Sequence, residues 1–413
     1  MPDIKRVTVV GFGESAKGAI KLLKNIGVKV KVSSLSSPLK GEESILEGVE
    51  DAEFGKHTPQ FVKGQDLIVT SPGVKPSSSV LRWAYKFGVE VIDEIELAYR
   101  FCKSKIIAIT GTNGKSTTTY LLYNVLKDNG FAVYMAGNIG VSLSSIVLGL
   151  NSSDWICVEV SSFQLKRIKK FRPFIGIMLK LTEDHLDWHS TLKDYISSKW
   201  NIFKNQKQTD FSLINIDNIS FLKKNTIPKA KIIFFKEDPI YNENINAVVC
   251  CSHILGIEEN KVLDSVERIK SLPHRIEFVG VFGNKEVYND SKATNISSTI
   301  FALKSLRKDV ILICGGRGKN QNFSILRCNP YFLKFVKKVI VMGESSSDIR
   351  NSVQDIKKTI VVSNLEEAVY EALNLKSPET VLFSPMCASF DMFSNYQERG
   401  EKFKYVLNKY YGK

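Results

Sequence analysis

Lys115, Ser116 and Thr117 follow the loop Gly111-Thr112-Asn113-Gly114 and open a helical pattern, Leu121, Leu122, Val125 and Leu126, that stops at Gly130. The apolar run Ile106–Ile109 precedes the loop and reads as a buried strand. Strand, glycine loop, Lys-Ser/Thr and helix together make a phosphate cradle. Backbone N–H groups and the helix start face the anion, the lysine supplies a cation, and a hydroxyl can hold Mg²⁺. The full motif places a glycine five residues before Gly114, where Ile109 stands. Even so, the strand and helix around the loop mark a chain that handles a nucleoside triphosphate.

Other chemistry-bearing residues sit where strands should end. Glu159 closes the apolar run Trp155–Val160, where a carboxylate can bind Mg²⁺ or simply face solvent. His185 lies in the polar loop Thr182-Glu-Asp-His185 after the run Phe174–Leu179; a lone histidine there carries no role by itself. Tyr195 and Lys199 are four residues apart and share a helix face. A lysine beside Trp200, Ile202 and Phe203 either snorkels to water or, desolvated, favours the neutral amine that can react with CO₂. Asn289–Asn295 pairs Asp290 with Lys292, Gly315–Asn320 offers flexible backbone and two cations, and Ser384–Asp391 follows the last apolar run. Each could be a plain turn. Three such loops after strands of one sheet point to an anion site.

The elements that position these residues form three α/β blocks. The first, to about Glu96, opens with strand Val7–Val10, the loop Gly11-Phe-Gly13-Glu-Ser15-Ala16, a helix to Ile26 and strand Val28–Val32. This is a dinucleotide-type βαβ opening, but Ser33 and Ser34 replace the acidic residue that would hold a ribose, which disfavours a nicotinamide or flavin oxidoreductase. A later strand, Asp66–Thr70, ends at Ser71-Pro72-Gly73. The second block, about 97–271, adds strand Phe211–Ile216 to those above and reads as a parallel sheet. The third, about 272–413, holds strands Lys285–Tyr288, Val310–Cys314, Val339–Met342, Ile360–Val362 and Val381–Phe383 and again reads as a parallel sheet under helices.

The bulk properties agree. The chain has 413 residues, 43% hydrophobic and 24% charged, enough for several packed domains. No apolar run approaches the roughly 18 residues of a spanning helix, and Val7–Val10 is too short for a signal segment. Seven cysteines without metal spacing read as reduced thiols, so a cytoplasmic protein is expected. The net charge of +14 lacks a concentrated basic arm or nucleic-acid motif, and attraction of small polyanions accounts for it. Neither a nucleic-acid nor a membrane partner is expected.

Together these segments resemble the bacterial Mur ligase family over nearly the whole chain. Gly111–Thr117, Gly137-Asn-Ile-Gly140, Thr182–His185, Leu272-Pro-His-Arg275 and Asn289–Asn295 are similar to family-wide motifs. Glu159-Val-Ser-Ser-Phe-Gln-Leu165 and Ser384–Gly400 are similar to the D-glutamate-adding branch. The family's phosphate loop also lacks the first glycine, so Ile109 fits it. The resemblance implies an α/β chain of three domains. These are a Rossmann-like UDP-substrate domain over 1–96, a central P-loop ATPase-type domain over 97–271, and a C-terminal Rossmann-like domain over 272–413 that binds amino acid and nucleotide. Domains joined near Leu97 and Leu272 would close over the substrates.

The implied activity is ATP-dependent addition of D-glutamate to UDP-MurNAc-L-Ala through an acyl phosphate, by a cytoplasmic monomer. By resemblance, Gly111, Thr112, Asn113, Gly114, Lys115, Ser116 and Thr117 would hold the ATP phosphates. Asn246, Arg275, Asp290 and Lys292 would hold the rest of the nucleotide. Ser116, Thr117 and Glu159 would serve one Mg²⁺ and His185 a second, with Mn²⁺ as a substitute. Lys199 matches a carbamylated lysine. Ser15, Ser34, Ser71, Pro72, Gly73, Asn138 and Ser161 would receive the UDP-substrate, and Thr294, Lys319, Ser389, Phe390 and Tyr396 D-glutamate. The chain departs from the pattern at Ser34, where an aspartate often meets uracil, and at Lys180, Glu243 and Arg317. The rival readings are a sister amide ligase, a folylpolyglutamate-type ligase, and a P-loop switch or nucleic-acid motor.

Overall fold

The alternation of short apolar runs with amphipathic segments folds into three sheets flanked by helices. A computed structural model describes residues 4–39, 41–185, 188–222, 225–238, 240–269, 272–318 and 321–411. The chain divides into two compact units, one running to Ile269 and the other following it.

The first unit carries two sheets. One contains β1 (Arg6–Val10), β2 (Lys29–Ser34), β3 (Asp51–Phe54), β4 (Leu67–Thr70) and β5 (Glu90–Asp93), all parallel, in the order β3-β2-β1-β4-β5. The other contains β6 (Lys105–Thr110), β7 (Val133–Gly137), β8 (Trp155–Glu159), β9 (Ile175–Met178), β10 (Phe211–Asn215) and β11 (Lys231–Phe235), again parallel, in the order β11-β10-β9-β6-β8-β7. A parallel sheet covered on both faces needs continuous apolar strands. β4, β8 and β9 are buried at every position. Glu96, fully buried, joins the sheets. Its carboxylate accepts the backbone N–H groups of Lys169, Lys170 and Phe171 at 2.8–3.0 Å, and Arg100 Nε at 3.1 Å.

The second unit holds β12 (Glu277–Phe282), β13 (Lys285–Asn289), β14 (Val310–Gly315), β15 (Val336–Met342), β16 (Lys358–Val361) and β17 (Thr380–Phe383), in the order β12-β13-β17-β14-β15-β16. β12 and β13 form an antiparallel hairpin, where the sequence pattern had suggested parallel strands alone. Gly283 and Asn284 both have positive φ, the turn geometry that matches strand twist. A Gly-Asn pair between two strand-like runs was the signal for it.

Five strands were not among the runs read from the sequence: β3, β5, β7, β11 and β12, although Ile232–Phe235 of β11 is itself such a run. Each lies at the edge of its sheet. An edge strand is covered less completely, so its residues need not be continuously apolar.

Candidate active site

β6 lies inside its sheet between β9 and β8, so the loop leaving it opens onto the carboxyl edge, where ligands of α/β sheets collect. The loop is built against its neighbours. A Cβ on Gly111 would meet Leu179 Cβ at 2.6 Å, and one on Gly114, whose φ is +78°, would meet Asn244 Oδ1 at 2.3 Å. Gly114 caps the helix Lys115–Asp128. Lys115 Nζ curls onto the loop, donating to the carbonyls of Gly111 at 3.0 Å and Thr112 at 2.7 Å. The Thr112 hydroxyl lies 3.0 Å from the Tyr195 hydroxyl and accepts the Thr182 N–H at 2.9 Å, pinning the loop to the segment after β9. Asn113 and Thr117 are half-buried on the same loop and first helical turn.

Glu159 is the pivot of the site. β8 pairs with β6 on one side and β7 on the other, with Glu159 opposite Ile109 and Gly137. Its two carboxylate oxygens therefore reach both neighbouring loops. Oε2 accepts the Ser116 hydroxyl, and Oε1 accepts Asn138 Nδ2 at 3.1 Å. Ser161, just beyond, makes a capping box with Gln164 at the start of the helix Ser162–Lys166.

Tyr195 and Lys199 share one face of the helix Leu192–Trp200, which Thr191 caps. Both reach the phosphate loop. Lys199 is buried; its Nζ donates to the Gly111 carbonyl at 2.8 Å and lies 4.9 Å from the Tyr195 ring centre. Burial first, then the nearby Lys115 cation, pushes the Lys199 pKa well below the lysine range, against the opposing charges of Asp184 and Glu159. His185 is on the rim with positive φ, its ring edge-on to Phe163 at 4.9 Å and its Nε2 3.6 Å from Asp184.

Asn244 and Thr112 gain positioning roles that spacing did not reveal. Asn244 accepts the Thr118 hydroxyl at 3.2 Å and packs on Gly114. Glu243 accepts the Lys180 N–H and Asn215 Nδ2, tying the end of β9 to β10, while Asn246 Nδ2 donates to Asp238 at 2.9 Å. Only the folded chain brings Asn244 to the loop.

On the first sheet, the Gly11 loop and residues 15, 34 and 71–73 gather at the carboxyl edge of β1, β2 and β4. Ser15 lies in the first turn of the helix Glu14–Asn25. The Ser71 hydroxyl is buried without a hydrogen-bond partner, and a Cβ on Gly11 would fall 2.4 Å from it. Pro72 and Gly73 continue outward, with Gly73 exposed. The Ser34 hydroxyl closes a turn, donating to the Ser36 carbonyl at 2.8 Å and accepting its N–H at 3.1 Å.

In the second unit, the three loops follow adjacent strands β13, β17 and β14. Asp290 is buried and accepts the Ser384 hydroxyl at 2.7 Å; burial raises its pKa to about 7, opposed by Ser384 and the charge of Arg275. Lys292 Nζ sits 3.8 Å from the centre of the Tyr396 ring. Arg399, also buried, donates to the carbonyls of Ser291 and Cys387 and braces this wall. Ser389 is buried, Phe390 exposed, and Thr294 half-buried before the cap residue Asn295. Arg317 is held by Glu344 in a two-point ion pair. Lys319 lies outside the described residues.

The donors suit Mg²⁺. Ser116 and Glu159 present a hydroxyl and a carboxylate beside a cradle that any Cβ would fill, and Mg²⁺ is commonly held by one or two carboxylates with substrate phosphates and water. Among the described residues no cluster of three or more His, Cys, Asp or Glu is present, and this mode of binding needs none.

The chain matches three family models in succession: Mur ligase MurD-like, N-terminal domain, over residues 5–93; Mur ligase middle domain, over 109–294; and Mur ligase, glutamate ligase domain, over 274–387. It is 39% identical to the UDP-N-acetylmuramoylalanine–D-glutamate ligase of Aquifex aeolicus, with 97% of each chain covered. It is 35% identical to the enzyme of that name from Caldanaerobacter subterraneus subsp. tengcongensis, again over 97% of each. Two solved structures share the fold. The UDP-N-acetylmuramate-alanine ligase MurC of Thermotoga maritima has a TM-score of 0.61 at 17% identity, covering 98% of this chain and 100% of that one. The MurF ligase of Thermotoga maritima, in complex with ADP, has a TM-score of 0.59 at 16% identity, covering 98% and 96%. With three consecutive family models and full-length relatives above 30% identity, the chain belongs to the Mur ligase family.

Proposed function

We propose that this chain joins D-glutamate to UDP-N-acetylmuramoyl-L-alanine at the expense of ATP, in cytoplasmic synthesis of the peptidoglycan precursor. The two full-length relatives that carry this activity in their names support the reading. The observation that carries it in the site is Glu159, whose carboxylate takes Ser116 of the phosphate loop on one oxygen and Asn138 of the neighbouring loop on the other. A phosphoryl donor and its acceptor can meet across that one residue.

A carboxylate is a poor acyl donor because its leaving group would be oxide. In the proposed reaction the alanyl carboxylate attacks the γ-phosphorus of ATP and ADP leaves, giving an acyl phosphate. The amine of D-glutamate attacks the carbonyl carbon, inorganic phosphate departs, and the amine loses a proton. Catalysis then rests on charge neutralisation and alignment. Lys115 and the loop N–H groups of residues 111–117 would steady the moving phosphoryl group. Mg²⁺, held when bound by Ser116, Thr117 and Glu159, with His185 serving a second ion, would neutralise phosphate charge; Mn²⁺ suits the same oxygen donors.

Lys199 would act as a carbamate. Its neutral amine would attack CO₂, form an N–C bond and release a proton, leaving an anionic carbamate whose oxygens could help hold a metal. Burial and the lowered pKa of Lys199 support this step. Asn138 and Ser161 would face the muramoyl-alanine, and Ser15, Ser34 and Ser71–Gly73 its UDP end. Asn246, Arg275, Asp290 and Lys292 would hold the nucleotide, and Thr294, Lys319, Ser389, Phe390 and Tyr396 D-glutamate. The family models and sheets support domains over 1–96, 97–271 and 272–413, and we infer a monomer because no role calls on a second copy.

Phosphate release by the purified protein tests the proposal. Release should require both UDP-MurNAc-L-Ala and D-glutamate. Equal release with L-glutamate, lysine or DNA would overturn it.

A further inference from the structure

Ser33, Glu53, His57 and Thr58 form a hydrogen-bonded group at the carboxyl ends of β2 and β3. Glu53, buried, accepts the Ser33 hydroxyl at 2.6 Å, the Thr58 N–H at 2.9 Å and the Thr58 hydroxyl at 2.7 Å. His57 Nδ1 lies 2.7 Å from Ser33 Oγ. As a carboxylate, Glu53 only accepts, so the Ser33 proton points to it. Ser33 Oγ is then left to accept, and His57 must donate from Nδ1. This arrangement sets the tautomer: in the neutral ring, Nε2 carries a lone pair. Burial lowers the His57 pKa, against the charge of Glu53, and favours that neutral ring. Nε2 has no hydrogen-bond partner among the described residues. The same proton order excludes Ser33 as a nucleophile, because its hydrogen faces Glu53 and not the imidazole.

The position of His57 says what it could meet. In a parallel sheet of this kind the phosphates lie at the first glycine loop, here Gly11–Gly13 after β1, and the nucleoside extends toward the end of the next strand. That strand is β2, and β3 is its outer neighbour. Strands are about 4.8 Å apart, so a base beyond a ribose at β2 reaches the loop after β3, which carries His57. The hydroxyl of Ser34 at the end of β2 is already spent on Ser36. Leu35, which follows it, is exposed and offers an apolar surface.

We propose that His57 Nε2 accepts the N3–H of uracil and is a specificity-determining residue for the uridine-nucleotide end of the substrate. Uracil N3 is a donor flanked by two carbonyl oxygens, which a lone-pair acceptor matches. Cytosine presents a lone pair at N3 and would be repelled. The proposal rests on the ligase reading above.

Calorimetric titration of the full chain with UDP and with N3-methyl-UDP tests it, alongside wild-type ligation. A single net hydrogen bond is worth roughly twofold to tenfold in affinity. Wild type should prefer UDP over its N3-methyl analogue by about fivefold, and His57→Ala should weaken UDP by a similar factor and bind both ligands alike. Ser33→Ala, which removes the acceptor that orients the ring, should narrow the ratio as well and serves if the histidine variant folds poorly. An unchanged ratio in both variants, or no preference in wild type, overturns the role of His57 while ligation by wild type leaves the ligase reading standing. Wild type that neither binds UDP nor ligates overturns both.

Discussion

Lys115 and Lys199 donate to one acceptor, the carbonyl oxygen of Gly111, at 3.0 and 2.8 Å. Two ammonium groups on one oxygen repel each other, and Lys199 is also buried. Burial and the neighbouring Lys115 cation therefore press Lys199 toward the neutral amine. The opposing charges of Asp184 and Glu159 do not outweigh these effects.

Lys199→Ala should lose ligation, and short carboxylates such as acetate or formate should restore part of it by standing in for the carbamate. Phosphate release with and without added carboxylate reads this out. Absence of rescue at any concentration would count against carbamylation.

The same lysine has a stability signature. Its pKa is lower folded than unfolded. As pH falls below the unfolded value of about 10.4, the unfolded chain takes the proton first, and stability drops until the folded value is passed. Lys199→Met removes that penalty. In CO₂-free buffer it should melt higher than wild type at pH 6 to 8, while ligation is lost. A lower melting temperature would contradict a strained buried amine.

Lys115→Ala removes a phosphate cation from the loop. A single preorganised charge at a transition state is worth about a hundredfold to a thousandfold in rate. Turnover should fall at least that far in the phosphate-release assay while the melting temperature stays close to wild type.

Gly111→Ala places a Cβ 2.6 Å from Leu179 Cβ in backbone with φ +158°. Overpacking costs about 1–3 kcal/mol, so denaturant melts should show a loss of that size, and ATP should bind more weakly. Gly149→Ala, where a Cβ meets nothing within 4 Å, is the control and should stay within about 0.5 kcal/mol.

Asp290 titrates near 7 because it is buried. Its folded pKa lies above the ordinary aspartate value, so between about 4 and about 7 the folded chain holds the extra proton. Stability therefore falls as pH rises through that window and levels off above it. Asp290→Asn should gain stability relative to wild type at pH 8 more than at pH 5. The difference between the two melts isolates this residue from Asp93, which shares the same range.

Glu96→Ala should be strongly destabilising. It strands three backbone N–H groups and removes the buried partner of Arg100. Breaking a buried ion pair costs about 3–5 kcal/mol, and calorimetry should show it as an early melt of the first unit.

Much of the framework was legible along the chain. Interior strands such as β4, β6, β8 and β14 announced themselves because burial on both faces demands an unbroken apolar run. Edge strands β3 and β5, which interleave acidic residues, did not, since one side of each is less constrained. The Gly283-Asn284 hairpin was written in its turn residues, yet the antiparallel partner became evident only once the strands paired.

The sequence by itself determined the phosphate loop, the strand-end placement of Glu159, and the shared helix face of Tyr195 and Lys199. All three follow from local spacing, which covalent geometry converts directly into direction. Tertiary structure alone decided the rest. Strand order put β8 between β6 and β7, so one carboxylate reaches Ser116 and Asn138. Packing brought Lys199 onto the same carbonyl as Lys115, and the pairing of β2 with β3 turned Ser33 and Glu53 toward His57. Protonation state and tautomer depend on burial and on partners distant in the chain, and neither exists until the sheets have formed.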